Sequence, residues 1–396
     1  MIWNWEKPDW PHFSWKRDRL AKAEQQFLRE TGRFVGTAKH LASEDFEQLT
    51  VKAMSTEAMT TSEIEGEILD RASVQSSIRR QLGLAPDTTA NRRPKPAEKG
   101  IAEVMVALYR HFAEPLSNET LFAWHRMLVA DRHDLTDIGR YRTGEDAMEI
   151  VSGAIYNPRV HFEAPPASAL ARQMKAFIKW YNRTAPGGRT PLPSLTRAGI
   201  AHLYFVSIHP FEDGNGRIAR ALAEKALAQG LGQPTLIALA STILARRKAY
   251  YEILEAANKR NEISAWLSWF AETAIEAQQR AIANVEFLID KPRLLDRLRG
   301  QLNVRQEKAI LRMLREGPEG FKGGLSAGNY AAITGSSPAT TTRDLVDLVE
   351  KGALTRAGER RHARYYLALE KGPPLGSLPP SSHKRYGRLI QTSSGV

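Results

Sequence analysis

The sequence contains no cysteine, which excludes a disulfide framework and any thiolate metal site. It has no stretch close to the roughly 18–20 consecutive apolar residues of a membrane span, and it has no internal repeat. The first residues, Met1 to Pro8, lack the basic start and apolar run of a signal peptide. We therefore expect a cytoplasmic protein without membrane contact, although the lack of cysteine is equally compatible with export.

The composition is that of a globular protein with a basic bias. The 396 residues are 42% hydrophobic, so the chain can bury a sizeable core and form two or three domains. The net charge is +12, which favours acidic partners. Residues 301–396 hold 15 of the 56 Lys and Arg but only 8 of the 44 Asp and Glu, so much of the excess lies there.

The most informative segment is HPFEDGNGRIAR at residues 209–220. Its glycines let the backbone approach an anion, and N–H groups at the start of a following helix form an anion cradle. Arg217 and Arg220, three apart, lie on one helix face and can grip phosphate oxygens. Asp213 can bind Mg2+ beside phosphates, and His209 can accept a proton. The segment therefore predicts a polyphosphate site.

This segment is similar, without a gap, to the HxFx(D/E)GNGRxxR signature of the Fic family, whose members transfer a nucleotide monophosphate, usually AMP, to a hydroxyl of a target protein. The resemblance covers about residues 40–290 and implies an all-α core, ATP as substrate and Mg2+. It implies that His209 takes the proton of a target Ser, Thr or Tyr, that Asp213 holds Mg2+, and that both arginines hold the β and γ phosphates. The anion hole that it implies is formed by Gly214, Asn215 and Gly216.

A short hairpin is predicted at residues 148–162, with strands over 148–154 and 159–162. By the same resemblance it corresponds to the family's flap, which would hold a target peptide by strand addition. Val151, Ser152 and Gly153 are our candidates for contacts with the target or the nucleotide. A surface hairpin that merely covers the core is the alternative.

Residues 250–258, YYEILEAAN, resemble the family segment that lines the nucleobase pocket. Tyr251 and Asn258 are seven residues apart, hence on one face of a helix, where a ring can stack on a base and an amide can read its edge. Tyr250 is also a candidate for this pocket, with plain core packing as its alternative.

Residues 61–66, TSEIEG, resemble the inhibitory motif (S/T)xxxE(G/N) of the same family. The resemblance implies that Glu65 lies against Arg220, where a carboxylate would occupy a phosphate subsite and cancel the charge meant for the γ-phosphate. We therefore expect a self-inhibited protein. An exposed helix carboxylate is the alternative, and relief by dimerisation, target binding or self-modification stays open.

Four regions are expected along the chain. Residues 1–85 form an N-terminal Trp/Pro arm, which lies in a groove of the protein or binds another protein, and helices that include the inhibitory helix. Residues 98–290 form the Fic catalytic core, with helices at 167–183, 195–207, 216–229, 235–257 and 262–289. Residues 300–370 form a third region, and 371–396 a basic, disordered tail.

The third region reads helix, helix, helix, hairpin, which predicts a winged helix-turn-helix domain. Residues 338–351 would be its recognition helix. Arg343 and the hydroxyls near the start of that helix fit phosphate contacts, whereas Asp344, Asp347 and Glu350 carry negative charge along it. The sequence thus leaves DNA and protein open as partners of this domain.

The leading functional hypothesis is a protein adenylyltransferase that modifies a target protein bearing a hydroxyl side chain. If dimerisation relieves its inhibition, the protein also forms a homodimer. One alternative is a hydrolase that removes AMP from a modified protein, with Glu65 aligning a water. Another nucleotide donor is a further alternative. A nucleotide-sensing DNA-binding regulator is the alternative from another class, but a sensor would not need His209 as a base.

Overall fold

The computed structural model describes residues 2–85, 93–144, 146–154, 157–318 and 320–369. The tail predicted at 371–396 lies outside these residues. The chain divides into two compact units, the first formed by residues 1–38 and 42–281 and the second by 39–41 and 282–396. Each unit is described by itself.

The first unit is helical apart from one hairpin. Its strands β1 and β2 are antiparallel, with an irregularity in register between Ile150 and Val151. Its elements are α1 (Arg17–Ala38), α2 (Ser43–Ile64), α3 (Arg71–Leu82), α4 (Pro96–His111), α5 (Asn118–Leu128), β1 (Glu149–Ala154), β2 (Asn157–Glu163), α6 (Ala167–Arg183), α7 (Ser194–Ile208), α8 (Asn215–Leu231), α9 (Leu239–Ala245), α10 (Arg247–Ala257) and α11 (Ser264–Arg297), the last of which continues into the second unit.

The centre of the first unit is the pair α7 and α8. Every residue from Leu195 to Ile208 is buried, as expected of a helix that is apolar around its whole circumference. Helix α8 is buried almost as completely, from Arg217 to Ala228. The loop between these two helices, residues 209–214, is therefore held on both sides by rigid core, which is what a precise site needs.

Two predicted helices differ from the structure. The single helix expected at 235–257 is wrong: Ala238 has a left-handed backbone (φ 46°), and α9 and α10 are separate helices that meet at Arg246. The start of α9 is fixed by the Glu57 carboxylate, which accepts from the Ala240 N–H at 2.8 and 3.0 Å. The helix expected at 262–289 runs on through Pro292 to Arg297.

The second unit contains α12 (Val304–Arg315), α13 (Ala327–Thr334), α14 (Pro338–Glu350), β3 (Leu354–Ala357) and β4 (Arg364–Leu367), with β3 and β4 antiparallel. The side chains of Asn303, Ser326 and Ser337 cap its three helices by accepting a backbone N–H three residues on. Over the described residues, helices dominate and strands form only these two hairpins, which confirms the predicted all-α class. None of the described helices is long and apolar enough to cross a membrane.

Candidate active site

The loop between α7 and α8 begins with a strained residue. His209 ends α7 with a left-handed backbone (φ 49°, ψ 59°), a conformation that is uncommon for a residue other than glycine and often marks a functional position. Gly214 takes up φ 81° immediately before α8. Between them, Phe211 is fully buried and anchors the loop to the core.

The orientation of the His209 ring leaves one nitrogen available. Its Nδ1 lies 3.4 Å from the Val206 carbonyl oxygen, so a proton on Nδ1 leaves the Nε2 lone pair free to accept another. Burial lowers the pKa of His209 to about 4, aided by the nearby Arg142 cation and opposed by the Val206 carbonyl and the Glu65 and Asp213 charges. The ring is therefore neutral at cellular pH, the form that a general base requires.

Arg142 is a functional residue that the sequence reasoning missed. It is buried, and its Nε donates to the His209 carbonyl oxygen at 3.0 Å while Nη2 donates to that of Pro165. It thus supports the strained backbone of the histidine and adds a positive charge beside its ring. Its only sequence signal was its place in a non-helical segment, GRYR at 139–142.

The start of α8 is shaped for an anion. Asn215 closes the loop, because its Oδ1 accepts from the Phe211 N–H at 3.0 Å and its Nδ2 donates to the Phe211 carbonyl at 2.7 Å. Its side chain is thus committed to the loop, and only its backbone N–H can serve an anion. A Cβ at Gly216 would lie 2.3 Å from Glu65 Oε1, so glycine is required for a carboxylate to approach here.

Arg220 is buried and faces the inhibitory segment. Its Nη2 donates to Glu65 Oε1 at 2.7 Å, and its Nε and Nη2 donate to the hydroxyl and carbonyl oxygens of Thr61 at 2.6 and 2.9 Å. Thr61 and Glu65 are the first and fifth residues of the TSEIEG motif, at the end of α2. The structure thus places Glu65 against Arg220 and against Gly216 together.

Arg217 pairs with a second carboxylate, that of Glu67, two residues after Glu65. Its Nη1 is 3.1 Å from Glu67 Oε2, and its Nη2 is 3.4 Å from Asp213 Oδ2. Asp213 also accepts from Arg132, which follows α5. Neither Glu67 nor Arg132 was singled out from the sequence, since only the folded chain brings residues 67, 132 and 217 together.

Two buried donors of these arginines lack a partner among the described residues, Arg217 Nε and Arg220 Nη1. Buried donors are normally satisfied, so these two atoms point to a ligand that supplies acceptor oxygens. The described residues contain no group of three or more His, Asp or Glu able to hold a metal. A single carboxylate such as Asp213 fits Mg2+ only when substrate phosphates complete the coordination.

The three residues assigned to the nucleobase occupy different environments. Tyr250 is buried, with its hydroxyl 3.1 Å from His202 Nε2 and its ring against Trp266 and Trp269, so it packs in the core. The Tyr251 ring is 42% exposed, and its hydroxyl donates to the Ile64 carbonyl oxygen at 3.2 Å. Only Tyr251 therefore offers a ring face to a base.

Asn258 is buried at the end of α10. Its side-chain oxygen accepts from Ser207 Oγ at 3.3 Å, and Ser207 lies two residues before His209. The amide thus joins α10 to the end of α7 and has less freedom to read a base than the spacing predicts.

The hairpin β1–β2 carries exposed apolar side chains on both strands. Ile150, Val151 and Val160 are exposed, and in the register Ser152 and Gly153 pair with Arg159 and Pro158. For Ser152 and Gly153 only the backbone is described. An exposed strand edge with apolar side chains is suited to strand addition.

Helix α10 holds strand β2 of this hairpin. The Glu255 carboxylate lies 3.1 Å from Arg159 Nη2, 2.8 Å from His161 Nδ1 and 2.9 Å from Lys259 Nζ. Lys259 and His161, followed by Arg159, lower the pKa of Glu255 to about 2, so this anchor is charged over the whole physiological range.

Two protein-family models match parts of this chain. The Fic/DOC family model matches residues 115–227, and a model described as a domain of unknown function (DUF4172) matches residues 3–84. Residues 115–227, which include the loop and the start of α8, are thus a Fic/DOC domain.

Curated relatives cover the same region. A protein named Protein adenylyltransferase Fic from Nematostella vectensis is 32% identical over 147 residues, 37% of this chain and 30% of the relative. Protein adenylyltransferase fic-1 from Caenorhabditis elegans is 29% identical over 145 residues, 37% of this chain and 25% of the relative. The chain therefore spans about a third or less of the length of these relatives.

Solved structures with a related fold include a Fic family protein from Desulfovibrio desulfuricans G20, 21% identical with a TM-score of 0.49, covering 89% of this chain and 97% of that one. Fic-1 (residues 134–508) from Caenorhabditis elegans is 21% identical with a TM-score of 0.46, covering 67% of this chain and 74% of that one.

Proposed function

We propose that this chain is a self-inhibited protein adenylyltransferase, which transfers AMP from ATP to a hydroxyl side chain of a target protein. The observation that carries the proposal is the Glu65 carboxylate, which lies against Gly216 and Arg220 of α8, the helix that follows the loop beginning with His209. The names of the relatives, both protein adenylyltransferases, support the same reaction class over the aligned third of this chain.

In the proposed reaction, His209 Nε2 accepts the proton of the target hydroxyl. The hydroxyl oxygen forms a bond to the α-phosphorus of ATP, and the bond from that phosphorus to the bridging oxygen breaks. Pyrophosphate leaves with the electron pair, and Arg217 and Arg220 stabilise its negative charge. Such transfer depends on positioning and charge neutralisation more than on covalent help from the protein.

Asp213 is the residue that would hold Mg2+, together with phosphate oxygens of the nucleotide. The ion would supply charge neutralisation across the phosphates. In the structure the Asp213 carboxylate contacts Arg132 and Arg217, so two arginines balance its charge.

ATP suits the site because it supplies the missing acceptors. Arg217 Nε and Arg220 Nη1 are buried without a partner among the described residues, and phosphate oxygens are strong acceptors for arginine. Both arginines are paired with carboxylates from residues 65–67. Productive binding of the γ-phosphate therefore requires the Glu65 carboxylate to leave, which is the basis of the proposed self-inhibition.

The direct test uses α-labelled ATP, Mg2+ and a cell lysate with wild type, Glu65→Gly and His209→Ala. We expect label on protein with Glu65→Gly and none with His209→Ala, since removal of a positioned base costs about 10²–10⁴-fold. Absence of label with Glu65→Gly would overturn the assignment of AMP transfer and leave another donor nucleotide as the next substrate to assay.

Hydrolysis of AMP from a modified protein is a second candidate. Glu65 Oε1 binds Arg220, whereas Oε2 accepts no hydrogen bond from a described residue and could orient a water molecule. This reading predicts that wild type releases AMP from a pre-labelled protein and that Glu65→Gly does not. If the chain is a transferase, Glu65→Gly is instead the more active of the two proteins and wild type the less active.

DNA is the partner that we propose for the second unit, because two of the three acidic residues of α14, Asp344 and Asp347, are engaged by other side chains. Asp344 is buried and bound by Arg305 in two hydrogen bonds of 2.8 and 3.1 Å. Asp347 binds Lys351 and Gln306. Arg343 remains exposed. Duplex binding that weakens steeply with salt would support this, and lack of binding at low salt would exclude it.

A further inference from the structure

The first residues of the chain contact the flap strand β2 at its end. Trp3 and Phe162 are both buried, with their rings edge to face at 5.4 Å between centroids. Ala164, just beyond the strand, completes this small cluster, which is separate from the main core of the unit. The indole Nε1 of Trp5 donates to the carbonyl oxygen of Glu163, the last residue of β2, at 2.7 Å.

Between the two tryptophans, Asn4 reaches the catalytic side of the unit. It is fully buried. Its Nδ2 donates to Ser207 Oγ at 2.9 Å, and its backbone N–H donates to the Asn258 carbonyl oxygen at 2.7 Å. Ser207 lies two residues before His209, and Asn258 ends α10. Three consecutive residues thus touch the flap, the helix that carries the histidine and the helix that carries Tyr251.

The flap needs such anchors because it is a two-stranded hairpin, which is marginally stable by itself in water. The cross-strand pair Val151 and Val160 is exposed and contributes little burial. Its polar contacts with the rest of the unit include the hydrogen bond from Trp5 at one end of β2 and the ion pairs with Glu255 along the strand. Removal of either anchor should loosen the strand relative to His209.

We infer that Trp3, Asn4 and Trp5 are positioning residues, which hold the flap in register with His209 and so govern use of the target hydroxyl. The consequence for transfer rests on the function proposed above, whereas the consequence for the flap does not. Trp3 and Trp5 have no hydrogen bond or ring contact with Arg217, Arg220 or Tyr251, so we expect ATP binding to be independent of these two residues.

The test compares Trp5→Phe with Trp15→Phe in the full chain carrying Glu65→Gly. Trp5→Phe keeps an aromatic side chain but removes the N–H donor together with part of the indole. Trp15→Phe makes the same reduction in ring size in the arm, at a ring with no hydrogen bond to the flap, and so controls for the lost ring atoms. Asn4→Ala is a second variant. Hydrogen exchange of the amides at 149–154 and 159–163, ATP affinity and self-modification with α-labelled ATP are measured on each.

We expect Trp5→Phe to raise hydrogen exchange at the flap by about 2- to 10-fold, because it removes one hydrogen bond. Self-modification should fall with unchanged ATP affinity, while Trp15→Phe changes neither. Unchanged flap exchange would overturn the inference, as would increased exchange throughout residues 1–281, which indicates a merely structural role. If the protein with Glu65→Gly alone transfers no label, the proposed reaction fails, and flap exchange still decides whether the arm positions the hairpin.

Discussion

Replacement of Glu65 by glycine is the perturbation that the structure interprets most directly. The carboxylate makes one charge-assisted hydrogen bond of 2.7 Å to Arg220 and fills the space beside Gly216. A bond of this kind contributes about 1.5–3 kcal/mol. Since the Glu65 side chain is 32% exposed, solvent screening places its contribution toward the lower end of that range.

This free energy is what ATP must overcome to reach Arg220. At about 1.4 kcal/mol per factor of ten, removal of the carboxylate should raise ATP affinity about 10- to 150-fold, with values near the lower limit favoured. Release of the space beside Gly216 acts in the same direction. The fold should tolerate the change, because Arg220 keeps both hydrogen bonds to Thr61.

Isothermal titration with ATP and Mg2+ measures the effect, and self-modification with labelled ATP follows its consequence for transfer. The matched control is Glu63→Gly, the same substitution two residues earlier, at an exposed side chain of the same helix end. It introduces a glycine at the same end of the helix without touching Arg220. An ATP affinity for Glu65→Gly within about twofold of wild type and of this control would refute the reasoning.

Three further predictions concern the same site, each in the Glu65→Gly protein. Because the pKa of His209 is lowered to about 4, its ring stays neutral far below the ordinary pKa of about 6.5. The acid limb of kcat/KM for transfer should therefore lie well below pH 6.5. An acid limb near pH 6.5 would contradict the burial of the ring. Arg142→Gln removes the charge beside His209 and should move that limb to higher pH in the same assay. Gly216→Ala places a methyl group in the space beside Gly216 and Arg220, at a helical position. Calorimetry should find ATP affinity reduced by more than 10-fold, while the melting temperature does not fall. Unchanged affinity would mean that phosphate does not enter this space.

Much of the fold follows from local patterns. The helical class and most helices were predictable, because apolar spacing and capping residues such as Ser326 and Ser337 act within a few residues. The start of α9 at Leu239 was not, because it depends on Glu57, more than 180 residues earlier. A contact at that range leaves no periodic trace near residue 240.

The roles of individual side chains depended on burial. The spacing of seven between Tyr251 and Asn258 is correct for one helix face, yet Asn258 is committed to Ser207 and the arm. Tyr250, adjacent in sequence to an exposed ring, is packed in the core. Sequence spacing predicts which side chains lie on the same helix face, but it does not predict what those side chains contact.

The sequence alone therefore determined the chemical inventory of the site: a base, a carboxylate, two arginines three apart, and glycines at the head of a helix. Those relations span twelve residues and are set by helix geometry. The tertiary structure decided which groups oppose them. It placed Glu65 and Glu67 on the two arginines, Arg142 behind the histidine and Trp5 on the flap, because packing of distant segments, and no local rule, brings these side chains within hydrogen-bonding distance.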